Sequence, residues 1–156
     1  MNARSSRKDR SSGGSSPENN DKWDENPHLT PLRTKLCVPP FRSGWIARSR
    51  LVKRIDEGFE RKLTLISAPA GFGKTTLLVD WEHEHKIPVA WFSLDKGDNH
   101  PRQFLTYVIF GLQTLQEDIG RASLTMLQSL QPPPIETILI NLINDVIDIK
   151  TGCGLI

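Results

Sequence analysis

Cysteine is scarce: Cys37 and Cys153 are the only two among 156 residues, far apart and in no metal-ligand spacing. This excludes a disulfide framework or a zinc site and suits a reducing compartment. Net charge is nearly absent as well. The 20 Lys and Arg against 18 Asp and Glu leave +2 at pH 7, which supplies no basic surface for nucleic acid. No apolar run approaches the roughly 20 residues of a membrane span. The N-terminus has no apolar stretch behind its charges, so no signal peptide is indicated. A soluble cytoplasmic protein with no membrane partner is the default. Catalytic triads and metal-ligand clusters are missing too, and so is a helix-turn-helix pattern with a basic recognition helix. No internal repeat is present.

Residues 1–28 are poor in apolar side chains, with only Met1, Ala3 and Trp23 clearly so. Such a segment buries too little surface to offset its chain entropy, which predicts a disordered tail. A lone Trp23 in a polar tail reads as incidental. Residues 29–60 form an arm and a helix. Pro31, Pro39 and Pro40 keep the first part extended or turning. From Ser49, Leu51, Val52, Ile55 and Phe59 fall at helical spacing, with Gly58 near the end.

Residues 61–149 read as an α/β unit. Leu63 to Ser67 is short, apolar and β-prone, a first strand; a helix follows from Thr75 to about Lys86. Ile87 to Leu94 is a second strand with Pro88 at its start, where a missing N–H is tolerated. Both strands are apolar on both faces, the mark of a parallel sheet covered on two sides. After a polar loop, Asn99 is a candidate helix cap with Pro101 in the first turn. Phe104, Leu105, Val108, Ile109, Leu112 and Leu115 line one helix. Ala122 to Leu130 makes a short helix stopped by Pro132, Pro133 and Pro134. Ile135, Ile138, Leu139, Leu142, Ile143, Val146 and Ile147 form a last stripe, with Asn141, Asn144, Asp145 and Asp148 off it on a solvated face. Trp81, Trp91 and Phe92 read as core.

Between the first strand and its helix lies Ala68-Pro69-Ala70-Gly71-Phe72-Gly73-Lys74-Thr75. A polyphosphate needs several backbone N–H groups aimed at it from one concave turn, and glycine lets the chain bend so and the phosphate approach. The following helix adds open N–H groups and the positive end of its dipole. Lys74 supplies a mobile cation for the outer phosphates, the Thr75 hydroxyl can hold Mg²⁺, and Thr76 lies near the α-phosphate. The usual pattern is G-x-x-x-x-G-K-[ST], so Ala68 at its first position is a departure, though a small residue is kept. The bland alternative is a strand-to-helix turn that merely contains Gly-Lys-Thr. Glu82-His83-Glu84-His85 looks metal-like, but residues two apart on a helix point to different faces, so it reads as a solvated helix end.

Four stretches, TPLRTKLCVPP, IARSRLVKRID, RKLTLISAPAGFGKTTLLVDW and PVAWFSLDKGDNHPRQFLTYVIFGLQTL, resemble in order the N-terminus of the MalT-like, ATP-dependent LuxR-family transcriptional regulators. These are STAND-class P-loop ATPases, and the resemblance covers about residues 29–149. An alanine at the first loop position also occurs in that family. The resemblance implies an ATP-binding switch protein that self-associates when ATP is bound and reads DNA through a C-terminal helix-turn-helix absent from this chain. Carried over residue by residue, Gly71, Gly73, Lys74, Thr75 and Thr76 hold phosphates, with Ala68, Pro69, Ala70 and Phe72 completing the loop. Ile46 and Arg48 match the short arm motif flanking the adenine, on the side of residues 29–60. An ordinary solvated arginine is the bland reading of Arg48.

Hydrolysis also needs an acidic residue at the end of another buried strand, the Walker B position. No run of four apolar residues followed by Asp-Asp or Asp-Glu occurs, and no catalytic residue is assigned. Asp95, after the second strand, suits a cap or loop role better than a Mg²⁺ contact. The last residues, 150–156, match nothing in the family pattern, as in a truncated or frameshifted reading of a longer gene. The expected fold is thus α/β, a partial P-loop NTPase of parallel strands with flanking helices, cut before the acidic strand. Its two strands are expected to have open edges and no native neighbour, leaving the chain marginally stable or prone to aggregate. Two alternatives stay open: a fragment of another P-loop or AAA-like ATPase, such as a helicase loader, and an inert fragment without nucleotide affinity.

Overall fold

The helical spacing of Leu51, Val52, Ile55 and Phe59 becomes α1 (Ser49–Phe59), which buries Val52 and Ile55. The computed structural model describes residues 30–46, 48–149 and 152–156. The tail expected over 1–28, with Trp23, and Lys150 and Thr151 of the last segment lie outside the described residues. After the glycine loop, α2 (Lys74–His85) buries Leu77, Val79 and Trp81. Helices α1 and α2 share one apolar core of Val52, Ile55, Leu77 and Trp81, with Phe59, Ile66 and Ile156 packed against it.

A second core gathers Ala90, Leu105, Val108, Ile109 and Leu112 with Ile119, Leu127, Ile138 and Leu142. It unites α3 (Pro101–Gln113), α4 (Arg121–Leu127) and α5 (Ile135–Ile147). Pro101 opens α3 at its first position, where its missing N–H costs nothing. The residue at the cap position is His100, not the expected Asn99, which instead ends a short 3-10 helix, Lys96–Asn99. That helix is capped by Asp95, whose side chain accepts from the Gly97 amide, the cap role read from the sequence. Asp145 departs from the solvated face expected of it. Its Oδ2 accepts from the Gly120 amide at 2.9 Å, joining α5 to the start of α4.

The sheet found among the described residues has two parallel strands, β1 (Val89–Ala90) and β2 (Gly154–Leu155), with Val89 opposite Gly154 and Ala90 opposite Leu155. The second expected strand therefore exists in shortened form, and it has a neighbour after all. Residues 152–156 supply that neighbour. The physical reason is that Leu155 and Ile156 are apolar enough to fold back, and Ile156 seats on the α1–α2 core. The other edge of the segment after β1 is used once, where the Ser93 amide donates to the Lys35 carbonyl at 2.8 Å.

The first expected strand is the larger correction. Residues 63–67 are in no ladder, and Leu63 and Leu65 are 86% and 85% exposed. Only Ile66 reaches the core. A β-prone segment becomes a strand when another backbone pairs with it, and none of the described residues does so here. Trp81 and Trp91 are core as expected, while Phe92 is half-buried.

Candidate functional site: the glycine loop and its recess

The loop turns at two glycines in left-handed backbone, Gly71 (φ 81°) and Gly73 (φ 73°). A side chain is disfavoured there by roughly 1–2 kcal/mol per residue. The Phe72 amide bonds back to the Pro69 carbonyl at 3.4 Å, closing the turn. From Gly73 the chain enters α2, whose first backbone bond beyond the loop runs from the Leu77 amide to the Gly73 carbonyl at 2.9 Å. The preceding amides, those of Lys74, Thr75 and Thr76, are the open donors that every helix start presents. Thr75 is exposed and Thr76 half-buried.

Two cations hold the loop. The Lys74 ammonium donates to the carbonyls of Ala68 (2.7 Å) and Pro69 (3.0 Å), lying back over the loop that precedes it. The Arg48 guanidinium, at the start of α1, donates to the Phe72 carbonyl at 2.9 Å. It also packs against Gly73, where an added Cβ would come within 3.2 Å of Arg48 Nη2. Arg48 is therefore engaged with the loop rather than simply solvated. Ile46 is not brought there: it is 87% exposed and outside the recess wall.

Beside the loop lies a recess of about 430 Å³ between α1 and residues 64–68. Arg48, Arg54 and Lys74 give it three cations, and Leu51, Ile55 and Phe72 an apolar wall. Ala70 and Gly71 form the exposed tip of the loop, outside that wall. Arg54 was not singled out from the sequence. The signal available for it was its place three residues after Leu51, on the same side of α1.

The Glu82-His83-Glu84-His85 stretch gathers no metal-ligand group, and none is found among the described residues. It is less solvated than expected, however. His83 stacks on Phe41 with ring centroids 4.2 Å apart. His85 Nδ1 lies 2.9 Å from the Trp81 carbonyl and its Nε2 lies 3.1 Å from Asp56 Oδ1.

A separate charged cluster fastens the arm. Lys35, at the end of the 3-10 helix Arg33–Lys35, reaches Asp95 at 2.8 Å and Asp98 at 2.6 Å. Hydrogen bonds to Asp95 and Asp98 keep its ammonium charged well above the ordinary lysine range. The Lys35 hydrogen bond, then the Gly97 amide, pull Asp95 below the usual carboxylate pKa. Burial opposes the Asp98 carboxylate, but hydrogen bonds from Lys35 and the Asp95 amide prevail and lower its pKa as well. The Leu32 amide adds a bond to the Tyr107 hydroxyl at 3.3 Å, so the arm is tied to α3. Asp95 is thereby committed to a cap and an ion pair.

No described helix is long and apolar enough to cross a membrane. No family model matches the chain. Comparison with known proteins nevertheless shows a MalT-like chain, as the four sequence stretches indicate. It is 33% identical over 117 residues to the HTH-type transcriptional regulator MalT of Klebsiella pneumoniae (strain 342), across 75% of this chain and 13% of that protein. The MalT regulators of Cronobacter sakazakii and Serratia proteamaculans are 38% and 39% identical over 82 residues, across 53% of this chain and 9% of each relative. The chain thus spans 13% or less of the length of these curated relatives.

Proposed function

We propose that this chain is the ATP-binding, N-terminal portion of a MalT-type transcriptional regulator, with residues 68–75 acting as a P-loop. One observation carries the reading. Two left-handed glycines, the open start of α2 and the Lys74 ammonium converge beside a recess that Arg48 and Arg54 also line. That donor set is the one a triphosphate requires. Ala68 to Thr76 would wrap the phosphates, and Lys74 would leave the Ala68 and Pro69 carbonyls to meet the outer ones. Arg48 would hold Phe72 in place so that the loop keeps its curl. Leu51, Ile55 and Phe72 would give the base an apolar wall. The Thr75 hydroxyl, exposed at the helix start, fits a Mg²⁺ ligand; the ion would supply charge neutralisation between the phosphates. Because Asp95 is bound to Lys35, the reading gives ATP the part of a switch ligand and assigns no hydrolysis to these residues. Self-association and DNA reading would belong to the whole regulator, the latter through the helix-turn-helix for which the relatives are named. A cytoplasmic location follows from that role.

The test is a titration of a fluorescent ATP analogue with Mg²⁺ against wild type and Lys74→Ala. The reading expects saturable binding weakened about tenfold or more by loss of the charge-assisted contact. Equal signals from the two proteins would refute it.

A further inference from the structure

The arm before α1 is fastened at three places. At the first, the Lys35 ammonium binds Asp95 and Asp98 and lies 4.9 Å from the centre of the Tyr107 ring. The Lys35 carbonyl accepts from the Ser93 amide at 2.8 Å. Apolar burial does not back up this fastening: the 3-10 helix Arg33–Lys35 buries none of its residues, and Leu32 is exposed. At the second place, Phe41 stacks on His83 of α2 and meets the Trp45 ring edge-on, with centroids 5.7 Å apart. Pro39 and Pro40 lie between these two points, and their fixed φ removes slack from the chain. The third place is the Arg48 bond to the Phe72 carbonyl. Arg48 caps α1 with its own backbone outside the helical range (φ −113°, ψ 54°). The direction in which its side chain leaves therefore follows the arm as well as the helix.

We propose that Lys35 is a positioning residue for the glycine loop: its latch on Asp95 and Asp98 sets, through the arm, how Arg48 braces Phe72 and so how tightly the loop holds a triphosphate. This rests on the phosphate-binding reading of residues 68–75. Asp98 is 4% exposed, so removing the Lys35 charge leaves a buried carboxylate unpaired and opens the latch. Linkage also makes the coupling reciprocal. A nucleotide that firms the loop firms the latch, and the Ser93 amide, bonded to the Lys35 carbonyl, reports it.

The first experiment repeats the titration of a fluorescent ATP analogue with Mg²⁺ on Lys35→Met, Arg48→Ala and the double variant, each folded by circular dichroism. Lys35→Met is expected to weaken binding about threefold or more, within the range for residues that act through a connected network. In the Arg48→Ala background the same change should have little further effect, because the route to Phe72 is already cut. The second experiment uses wild type alone and stands even if Lys35→Met fails to fold. Mg²⁺ and ATP should slow hydrogen exchange at Ser93 by about the factor that Lys35 contributes to affinity. Unchanged affinity in folded Lys35→Met would overturn the inference, as would a loss that adds in full to that of Arg48→Ala. So would Ser93 exchange that ignores nucleotide while the loop amides slow. Absence of saturable binding by wild type is a different failure: it removes the phosphate-loop reading, and this inference with it.

Discussion

Arg48 donates to the Phe72 carbonyl at 2.9 Å, joining the residue that caps α1 to the glycine loop. The two lie 24 residues apart in sequence, so this bond couples the arm's position to the loop's curvature. Arg48→Ala should cost little stability, no more than about 0.5–1.5 kcal/mol for a single exposed hydrogen bond. It should weaken ATP-analogue binding far more, because the loop would lose its brace. Paired measurements, a urea melt and a titration, check this. Loss of stability without loss of binding would make Arg48 a purely structural residue.

Gly73 is constrained twice. Its φ of 73° suits glycine, and a Cβ there would meet Arg48. Gly73→Ala is expected to cost about 1–2 kcal/mol through left-handed strain and to displace the guanidinium. Chemical denaturation reads the first effect, and the binding titration reads the second.

The Lys35–Asp95–Asp98 cluster predicts a pH window. The two carboxylates have lowered pKa values in the folded chain, so their contribution is present above the unfolded carboxylate pKa, about 4, and is lost as pH falls through the folded values. Lys35 has a raised pKa, so its contribution is full below the unfolded lysine value, about 10, and is lost only above it. Thermal melts of wild type should therefore hold between those limits and fall in acid. Asp98→Asn should melt lower at neutral pH and show a shallower acid decline. An identical acid decline in both proteins would contradict the cluster's role.

Trp81 is 1% exposed and donates from Nε1 to Asp56 Oδ1 at 2.7 Å. Its removal as Trp81→Ala should cost about 3–5 kcal/mol, the range for a large aromatic leaving a cavity. Trp81→Phe should cost less, keeping most of the apolar contact but losing the bond. Denaturant midpoints for the two variants test the order.

The helices were legible because each is written in local spacing. Leu51, Val52 and Ile55 announce α1, and the Ile135-to-Ile147 stripe announces α5. The glycine loop was legible for the same reason, since Gly71, Gly73 and Lys74 are close in sequence. The sheet was not, because strand pairing is non-local. Leu63 to Ser67 has a strand's composition yet pairs with nothing described, whereas Gly154 and Leu155, unremarkable as sequence, complete β1. Asp145 was misread as solvated because its partner, the Gly120 amide, lies 25 residues away. The placement of Arg54 at the recess likewise depends on how α1 docks, which spacing alone does not show.

The central claim concerns the amides from Gly71 to Thr76, and residue-resolved hydrogen exchange observes them directly. Adding Mg²⁺ and ATP should slow exchange across that stretch in wild type and leave Lys74→Ala unchanged. If those amides exchange at the same rate with and without nucleotide, the loop does not hold a triphosphate and the account fails.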